Sequence, residues 1–238
     1  MNKKSILILG ASSDIGNEVI KIFLKNDWKV YAHYNKNSKI FKKKHILSKN
    51  NLKIIKADFS ITKQFNKFSK LLKKFKIDSC VNLVGYLDNV SFQKTNLKSL
   101  TKSVQINAII PLILQRDLIK KMEKKKFGRI LNISSIGVKY GGSEFTFNYS
   151  YAKHSLEYIP SYIRKLAKKN ILTNVLRVGV VDTKLLRKVR SKNIHKRVKL
   201  IPIKRMATIK EVSDTIYTLA SEKNTYISGE VITIAGGE

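Results

Sequence analysis

The chain alternates short, almost continuously apolar runs with longer segments in which apolar residues recur every three or four positions. Each short run is typical of a β-strand, because a strand buried on both faces lacks the polar alternation of a half-exposed one. Seven such runs lie over residues 5–10, 29–34, 52–58, 78–85, 128–135, 172–179 and 230–237. Their separation by helical patterns predicts a parallel sheet that is covered on both faces.

The helical patterns lie near residues 15–26, 62–75, 97–125, 149–169 and 209–222, with a weaker one near 37–49. We therefore expect one doubly wound α/β domain over residues 1–238, with no linker and no internal repeat. In such a fold the ligand binds beyond the carboxyl ends of the strands. Pro160 lies inside the pattern over 149–169 and should kink that helix, because proline removes a backbone hydrogen bond.

The same predicted helix places a lysine on its apolar stripe, which continues after Lys153 at Leu156, Ile159, Ile163 and Leu166. A lysine rarely faces a core without a partner. Tyr149 lies one turn earlier on the same face. A neighbouring cation stabilises a phenolate and can lower the pKa of a phenol, ordinarily near 10, by roughly 1–3 units. Tyr149 and Lys153 are therefore candidates for an acid–base pair.

Composition adds an unusual charge, because 48 lysines and arginines against 16 acidic residues give a formal net charge of +32. Such a charge is compatible with nucleic-acid binding. The lysines, however, occur in nearly every predicted helix, and the chain is also rich in Asn, Ile, Phe and Tyr, as a biased coding composition would produce. We expect no nucleic-acid partner and keep a non-catalytic, nucleic-acid-binding protein as an alternative.

Cysteine usage and hydropathy indicate the compartment. Cys80 is the single cysteine, so no internal disulfide can form and a reducing, cytoplasmic location is expected. The first residues imitate a signal peptide, but their apolar run is too short. No run approaches the ~20 apolar residues that a membrane span needs. We expect neither membrane association nor a metal site.

A glycine loop follows the first predicted strand, in the segment "ILILGASSDIGNEVIKIF". Gly10 and Gly16 permit a close approach of backbone to a ligand. Ser12 and Ser13 can bond phosphate oxygens, and the helix that begins near Ile15 offers free N–H groups and its positive dipole end. The alternative is an ordinary turn between a strand and a helix.

The loop resembles that of the short-chain dehydrogenase/reductase family, which is T-G-x-x-x-G-x-G. Leu9 stands for the threonine here and Asp14 for the middle glycine. The resemblance implies a Rossmann-like fold and a nicotinamide dinucleotide bound by Gly10, Ser12, Ser13, Asp14, Ile15 and Gly16. Asp14 would put a negative charge near the bound pyrophosphate, or would cap the helix and point away from it.

Further motifs of the family follow in order along almost the whole chain. The segment "ADFS" resembles the adenine-side motif and assigns Asp58, with Phe59, to the adenine. The segment "VNLVG" resembles N-N-A-G and assigns Asn82 and Gly85 to the central strand beside the adenosine.

The segment "RVGVVDT" resembles P-G-x-x-x-T, with Val178 in place of the proline. The resemblance assigns Val181 to the cofactor site and Thr183 to the nicotinamide carboxamide. The closing segment, "IPIKRMATIKEV" through "ISGEVITIAGG", is most similar to that of the 3-oxoacyl-acyl-carrier-protein reductases.

The resemblance also implies a catalytic set. Tyr149 would donate a proton to a substrate carbonyl oxygen as hydride arrives from the nicotinamide, and Lys153 would lower the tyrosine pKa and bond the nicotinamide ribose. Ser135, fourteen residues before Tyr149, would hydrogen-bond the substrate oxygen. Asn107 would hold a water in a proton relay, and the alternative for Asn107 is a buried structural asparagine.

The second predicted strand bears on the choice of dinucleotide. NAD enzymes generally place a carboxylate after this strand to bond the ribose 2′-hydroxyl. Asn35 and Lys36 stand there instead, with no acid nearby. We therefore expect NADP(H), with Lys36 near the 2′-phosphate, and keep NAD(H) as the second candidate.

The segment that would cover the substrate, a lid around residues 183–207, contains many basic residues and no acid after Thr183. It favours an anionic substrate or carrier, such as an acyl group on acyl-carrier protein, a coenzyme A thioester or a nucleotide sugar. We expect a carbonyl reductase or alcohol dehydrogenase, with 3-oxoacyl-acyl-carrier-protein reduction as the leading hypothesis. The alternative enzyme is a nucleotide-sugar or other polar-carbonyl reductase for surface glycans, and the resemblance implies a homodimer or homotetramer.

Overall fold

A computed structural model describes residues 3–37, 41, 50–189 and 193–238, and these residues are organised around one parallel sheet. Its strands are β1 (Ser5–Leu9), β2 (Lys29–Tyr34), β3 (Leu52–Lys56), β4 (Ser79–Asn82), β5 (Gly128–Ser135), β6 (Ile171–Val178) and β7 (Val231–Ile234). They lie in the order β3-β2-β1-β4-β5-β6-β7, and each neighbouring pair is parallel. The predicted α/β class with a parallel sheet of seven strands is confirmed.

The α-helices are α1 (Asp14–Lys25), α2 (Thr62–Leu72), α3 (Leu97–Val104), α4 (Ile110–Lys125), α5 (Phe147–Leu156), α6 (Ser161–Lys165), α7 (Lys184–Arg187), α8 (Ile194–Lys199) and α9 (Ile209–Ala220). The weaker helix predicted near 37–49 lies outside the described residues apart from Asn37 and Phe41. Within the part of the chain that the structure describes, no helix is both long and apolar enough to cross a membrane.

Two apolar layers form the core, one on each face of the sheet. Successive side chains of β1 point to opposite faces, so Ile6 and Ile8 join one layer while Leu7 and Leu9 join the other. All four are fully buried, which is why this strand is a continuous apolar run in the sequence. Residues of α1 and α9 complete the first layer, and residues of α2 and α4 complete the second.

Three predicted strands extend beyond the observed ones. The runs over 52–58, 78–85 and 230–237 pair with their neighbours only over Leu52–Lys56, Ser79–Asn82 and Val231–Ile234. After these strands the apolar side chains of Ala57, Val84 and Ala235 remain buried as the chain leaves the sheet. An apolar pattern reports burial rather than strand pairing, so it overestimates the length of these strands.

Two predicted long helices are interrupted. The pattern over 97–125 contains a π-helical turn at Gln105–Ile109 between α3 and α4. The pattern over 149–169 stops at Leu156, and Pro160 begins α6 from an extended conformation (φ −59°, ψ 148°). The prediction that Pro160 would only kink one helix was wrong, because proline disfavours helical geometry in the residue before it and supplies no N–H.

Candidate active site

The strand order creates a crevice between β1 and β4. From β1 the chain builds outwards through β2 and β3, and it then returns to the other side of β1 to form β4, β5, β6 and β7. The loops after β1 and β4 therefore diverge at the carboxyl edge of the sheet, where open α/β sheets bind their ligands. The sequence-predicted residues lie along this edge.

The loop after β1 requires glycine at two positions. Gly10 has φ +73°, and a Cβ there would lie 2.8 Å from the carbonyl carbon and oxygen of Leu83. A Cβ on Gly16 would lie 2.8 Å from the carbonyl oxygen of Ala11. Ser13 is the N-cap of α1, because its Oγ accepts a hydrogen bond from the Gly16 N–H at 3.0 Å. Its O–H still has a proton to donate to an anion at this loop.

His33 on β2 holds this loop from the side, and the sequence analysis missed it. Its Nδ1 lies 3.3 Å from the Gly10 backbone N, and its Nε2 lies 3.0 Å from the Ala57 carbonyl oxygen. The ring stacks on Phe59 with the centroids 4.1 Å apart. Burial lowers the pKa of His33 to about 4, so the ring is neutral and its two nitrogens can accept from Gly10 and donate to Ala57. A polar residue in an apolar strand was the signal available in the sequence.

The adenine-side residues Asn35, Lys36 and Asp58 meet at the ends of β2 and β3. Burial opposes ionisation of Asp58, but hydrogen bonds from Ser60 and Asn35 and the charge of Lys36 outweigh it and lower its pKa. The Asp58 carboxylate accepts from the backbone and side chain of Ser60 at 2.8 and 2.7 Å. A carboxylate and an exposed ammonium thus stand next to the predicted adenosine end of the crevice.

Asn82 shapes the segment after β4. Its side chain is fully buried, accepts from the Val84 N–H at 3.1 Å and donates to Asn132 at 3.3 Å. Three residues after Asn82, Gly85 is exposed at the crevice, and a Cβ there would lie 3.2 Å from Leu185 and 3.9 Å from the Tyr149 ring. The contacts of Asn82 are those of a residue that fixes this segment of backbone.

Asn107 lies in the π-helical turn and is fully buried. Its Oδ1 accepts from the Tyr86 N–H at 2.8 Å, and its Nδ2 lies 3.0 Å from the carbonyl oxygens of Tyr86 and Ser103. These contacts use both ends of the amide. The side chain therefore has the geometry of the structural alternative, and a part in a proton relay remains a proposal.

Tyr149, Ser135 and Lys153 are brought together by β5 and α5. The Tyr149 hydroxyl hydrogen-bonds Ser135, whose Oγ also accepts from the Gly137 N–H at 3.2 Å. The Nζ atom of Lys153 lies 5.7 Å from the centroid of the Tyr149 ring. Lys153 is 2% exposed, and its ammonium donates to the carbonyl oxygens of Val84 at 2.8 Å and Ile133 at 2.7 Å. The spacing of four residues on one helix gives the predicted juxtaposition.

The predicted effect of Lys153 on the tyrosine is not seen in this structure. Burial raises the pKa of Tyr149 to about 12, although the bond with Ser135 opposes the rise. Burial also lowers the pKa of Lys153 to about 7. The sequence-based expectation considered only the attraction between the two charges, whereas desolvation disfavours the charged form of each group.

The segment after β6 covers this pair. Val181 is buried and forms an isolated bridge with Ala207. Thr183 is the N-cap of α7, since its Oγ1 accepts from the Leu186 N–H at 3.3 Å. Asp14 is not the N-cap of α1 but its first residue, and its carboxylate points towards Lys184 of this segment. The prediction that Asp14 would cap the helix is therefore wrong, because Ser13 is the N-cap.

Comparisons with known proteins identify relatives of this chain. Residues 10–238 match the protein family described as enoyl-(acyl carrier protein) reductase. The chain is 31% identical over 165 residues to 3-oxoacyl-(acyl-carrier-protein) reductase FabG of Buchnera aphidicola subsp. Schizaphis graminum, covering 68% of this chain and 67% of that protein. It is 29% identical over 242 residues to FabG of Buchnera aphidicola subsp. Acyrthosiphon pisum, covering 100% and 98%.

Solved structures give the same result at the level of the whole fold. The structure of ElxO with NADP bound has a TM-score of 0.83 and 28% identity, covering 99% of this chain and 98% of that one. The structure of 4-hydroxyisoleucine dehydrogenase complexed with NADH has a TM-score of 0.85 and 25% identity, also covering 99% and 98%.

Proposed function

The chain belongs to the short-chain dehydrogenase/reductase family, and on that premise we propose that it reduces the carbonyl group of a 3-oxoacyl thioester with NADPH. Membership makes it an NAD(P)-dependent oxidoreductase. The proposal adds the roles of individual residues, the preferred dinucleotide, the substrate and the assembly. The observation that carries it is the hydrogen-bonded pair of Tyr149 and Ser135, with the buried ammonium of Lys153 beside it.

Tyr149 is the proton donor in this proposal. With a pKa of about 12 the phenol is protonated at neutral pH, and it can give its proton to a carbonyl oxygen that becomes an alkoxide. Ser135 orients that oxygen by a second hydrogen bond. Lys153 is fixed by two backbone carbonyls, so its remaining N–H is available towards Tyr149 or a ribose hydroxyl. Asn107 supports the site by holding the backbone of Tyr86.

The described residues fit a dinucleotide along the crevice. The loop from Gly10 to Gly16 brings backbone and the capped start of α1 to the surface, where a pyrophosphate is favoured by the helix dipole. Asp58, beside Phe59, stands at the adenosine end, whereas Val181 and Thr183 stand at the end near Tyr149. A bound nicotinamide would supply the hydride.

The preference for NADPH rests on Lys36. It is exposed, it follows β2 where NAD enzymes generally place a carboxylate, and Asn35 beside it is neutral. The ammonium of Lys36 is available to the 2′-phosphate of NADPH, which NADH lacks. The bound NADP of the ElxO structure is consistent with this choice.

The substrate assignment rests on relatives and on charge. The relatives named FabG act, by their names, on 3-oxoacyl groups carried by acyl-carrier protein, and another relative is an acetoacetyl-CoA reductase of Acinetobacter. Such carriers are anionic, and they would meet the basic lid around 183–207. Its described basic residues are Lys184, Arg187, Lys188, Lys196, Arg197, Lys199, Lys204 and Arg205. Arg190 and Lys192 lie outside the described residues.

We propose a homodimer or homotetramer as the assembly. Several large apolar side chains on or beside α3, α4 and α5 are exposed, among them Leu97 at 84%, Leu112 at 53% and Tyr151 at 50%. Apolar residues clustered on adjacent surface helices mark protein–protein contacts. Equilibrium sedimentation of the purified chain measures the number of subunits.

The mutation Tyr149→Phe tests the catalytic assignment. NADPH oxidation with acetoacetyl-CoA should fall at least ~100-fold, which is the lower range of general acid catalysis. The affinity for NADPH, measured by fluorescence titration, should stay within about threefold, because only one hydroxyl is removed. The matched control is Tyr151→Phe, an exposed tyrosine two residues away, which should leave turnover unchanged.

Three outcomes would contradict parts of this proposal. Wild-type turnover in Tyr149→Phe excludes Tyr149 as the acid. Preferential stabilisation by NADH in a thermal melt overturns the role given to Lys36. Reduction of nucleotide-linked sugars but not of acetoacetyl thioesters replaces the substrate class while leaving the catalytic residues in place.

A further inference from the structure

Asp14 connects two segments that are 170 residues apart in the sequence. Its Oδ2 accepts a hydrogen bond from the backbone N–H of Lys184 at 2.8 Å, and its Oδ1 lies 3.5 Å from the Lys184 ammonium. The Asp14 side chain is 20% exposed, so the contact is partly shielded from solvent. One carboxylate thus binds both the backbone and the side chain of the residue that begins α7.

The helix that Asp14 contacts, α7, is short, and few other side-chain hydrogen bonds or ion pairs among the described residues hold it. α7 spans four residues, and its N-terminus is closed by the side chain of Thr183. Arg187, at its other end, pairs with Asp182 at 3.0 and 2.8 Å and also feels the charge of Asp14. Because a helix of four residues is not stable alone, its position depends on such contacts.

The residue next to the contact reaches the proposed catalytic site. Leu185 lies 3.2 Å from the point where a Cβ of Gly85 would stand, and the ring of Tyr149 lies 3.9 Å from the same point. A shift of α7 would therefore move Leu185 relative to Tyr149. Asp14 is the only residue of the loop after β1 whose described hydrogen bonds reach α7.

We propose that Asp14 is a positioning residue that ties α7 to the glycine loop and so places Leu185 and Lys184 over the crevice. A pyrophosphate at the loop would then meet Asp14 already paired with a cation, so that the repulsion from its carboxylate is offset by Lys184. This last consequence rests on the proposed function, whereas the tie between the two segments does not.

Hydrogen–deuterium exchange of the chain without any added ligand tests the tie. The variant Asp14→Gly removes both contacts, while Asp14→Asn keeps an oxygen that can accept from the Lys184 N–H and loses only the charge. Peptides within residues 183–189 should exchange at least ~10-fold faster in Asp14→Gly, because the amide of Lys184 loses its acceptor. Asp14→Asn should fall between Asp14→Gly and the wild type.

The matched control is Asp214→Asn, which breaks the exposed ion pair between Asp214 and Lys210 on α9 and should leave exchange over 183–189 unchanged. A second reading of Asp14 is that its charge only stabilises the N-terminus of α1. That interpretation predicts that in Asp14→Gly exchange becomes faster in α1 and stays at the wild-type rate over residues 183–189. Such a result would overturn the proposal.

Steady-state kinetics supply a second readout. We expect the KM for acetoacetyl-CoA to rise about fivefold in Asp14→Gly, with kcat within twofold and partial recovery in Asp14→Asn. Unchanged exchange over 183–189 in Asp14→Gly refutes the tie whatever the enzyme reduces. Faster exchange in a protein that binds no dinucleotide supports the tie and refutes the proposed function.

Discussion

The burial of His33 makes the stability of the folded chain depend on pH in a defined window. Its pKa is lowered from 6.5 to about 4, chiefly by burial. Between these two values the unfolded chain binds a proton that the folded chain does not, so the free energy of unfolding rises with pH. The stabilisation is complete above pH 6.5 and is lost as the pH falls towards 4.

The size of this stability change follows from the difference between the two pKa values of His33. A difference of about 2.5 pKa units corresponds to roughly 3 kcal/mol in all, and about 2 kcal/mol of it is lost between pH 7 and pH 5. This is a large fraction of the ~5–15 kcal/mol by which domains are stable. The resolved carboxyl groups contribute little in the upper part of the window, because their pKa values, including that of Glu211 at about 2, lie below their ordinary range.

Urea unfolding at pH 7, 6 and 5 measures the effect. Trp28 is the single tryptophan, 2% exposed and 5.1 Å from the ring of Phe23, so its fluorescence reports loss of the core. Cys80 is the single cysteine and is fully buried, and burial raises its pKa to about 12. Its labelling by a thiol reagent that works at acid pH gives a second, independent report of unfolding.

The variant His33→Gln separates His33 from all other groups. The variant should be less stable than the wild type at pH 7, because it disturbs the contacts with Gly10 and Ala57. The decrease in its free energy of unfolding between pH 7 and pH 5 should, however, be about 2 kcal/mol smaller than that of the wild type. His154→Asn, at an exposed position, is the matched control and should keep the wild-type slope. Equal losses in the wild type and His33→Gln would refute the reasoning.

Two further predictions concern the glycine loop and the buried lysine. Gly10→Ala should lower the free energy of unfolding by at least about 2 kcal/mol, since φ is +73° and the new Cβ would lie 2.8 Å from the Leu83 carbonyl. Urea unfolding measures this loss. The control is Gly141→Ala, which has the same φ but no atom within 4 Å of the new Cβ, and its free energy of unfolding should fall by less. Because burial lowers the pKa of Lys153 from 10.5 to about 7, stability should rise by about 2 kcal/mol from pH 7 to pH 9, and this rise should be absent in Lys153→Met.

The sheet could be predicted from the sequence because both of its faces are buried. A strand such as β1, with Ile6, Leu7, Ile8 and Leu9 all inaccessible, leaves a continuous apolar run that no surface element shows. The π-helical turn at Gln105–Ile109 left no such signal, since an inserted residue keeps Ile106 and Ala108 buried. Likewise Ile159 and Leu166 are buried on either side of the break before α6. The apolar pattern over residues 149–169 therefore continues across the break, although the helix does not.

The proposed catalytic pair could be predicted because it is local. Tyr149 and Lys153 are one turn apart, and helical geometry alone places them on one face. The contacts of His33 with Gly10 and of Asp14 with Lys184 join segments 23 and 170 residues apart, and they depend on how β2 and the lid meet the glycine loop. No periodicity in the sequence encodes these long-range contacts, so both contacts could be found only in the structure.

The charges at the site show why burial had to be known before the chemistry could be assigned. Desolvation moves both groups towards their neutral forms, raising the pKa of Tyr149 to about 12 and lowering that of Lys153 to about 7. A phenol with a pKa of about 12 is protonated at neutral pH and can donate, but it is a weaker acid than one whose pKa lies near neutrality. The bonds from Lys153 to Val84 and Ile133 hold its nitrogen in place in either charge state. The sequence could therefore predict that the two groups are neighbours on one helix, but not the burial that sets the protonation state of each.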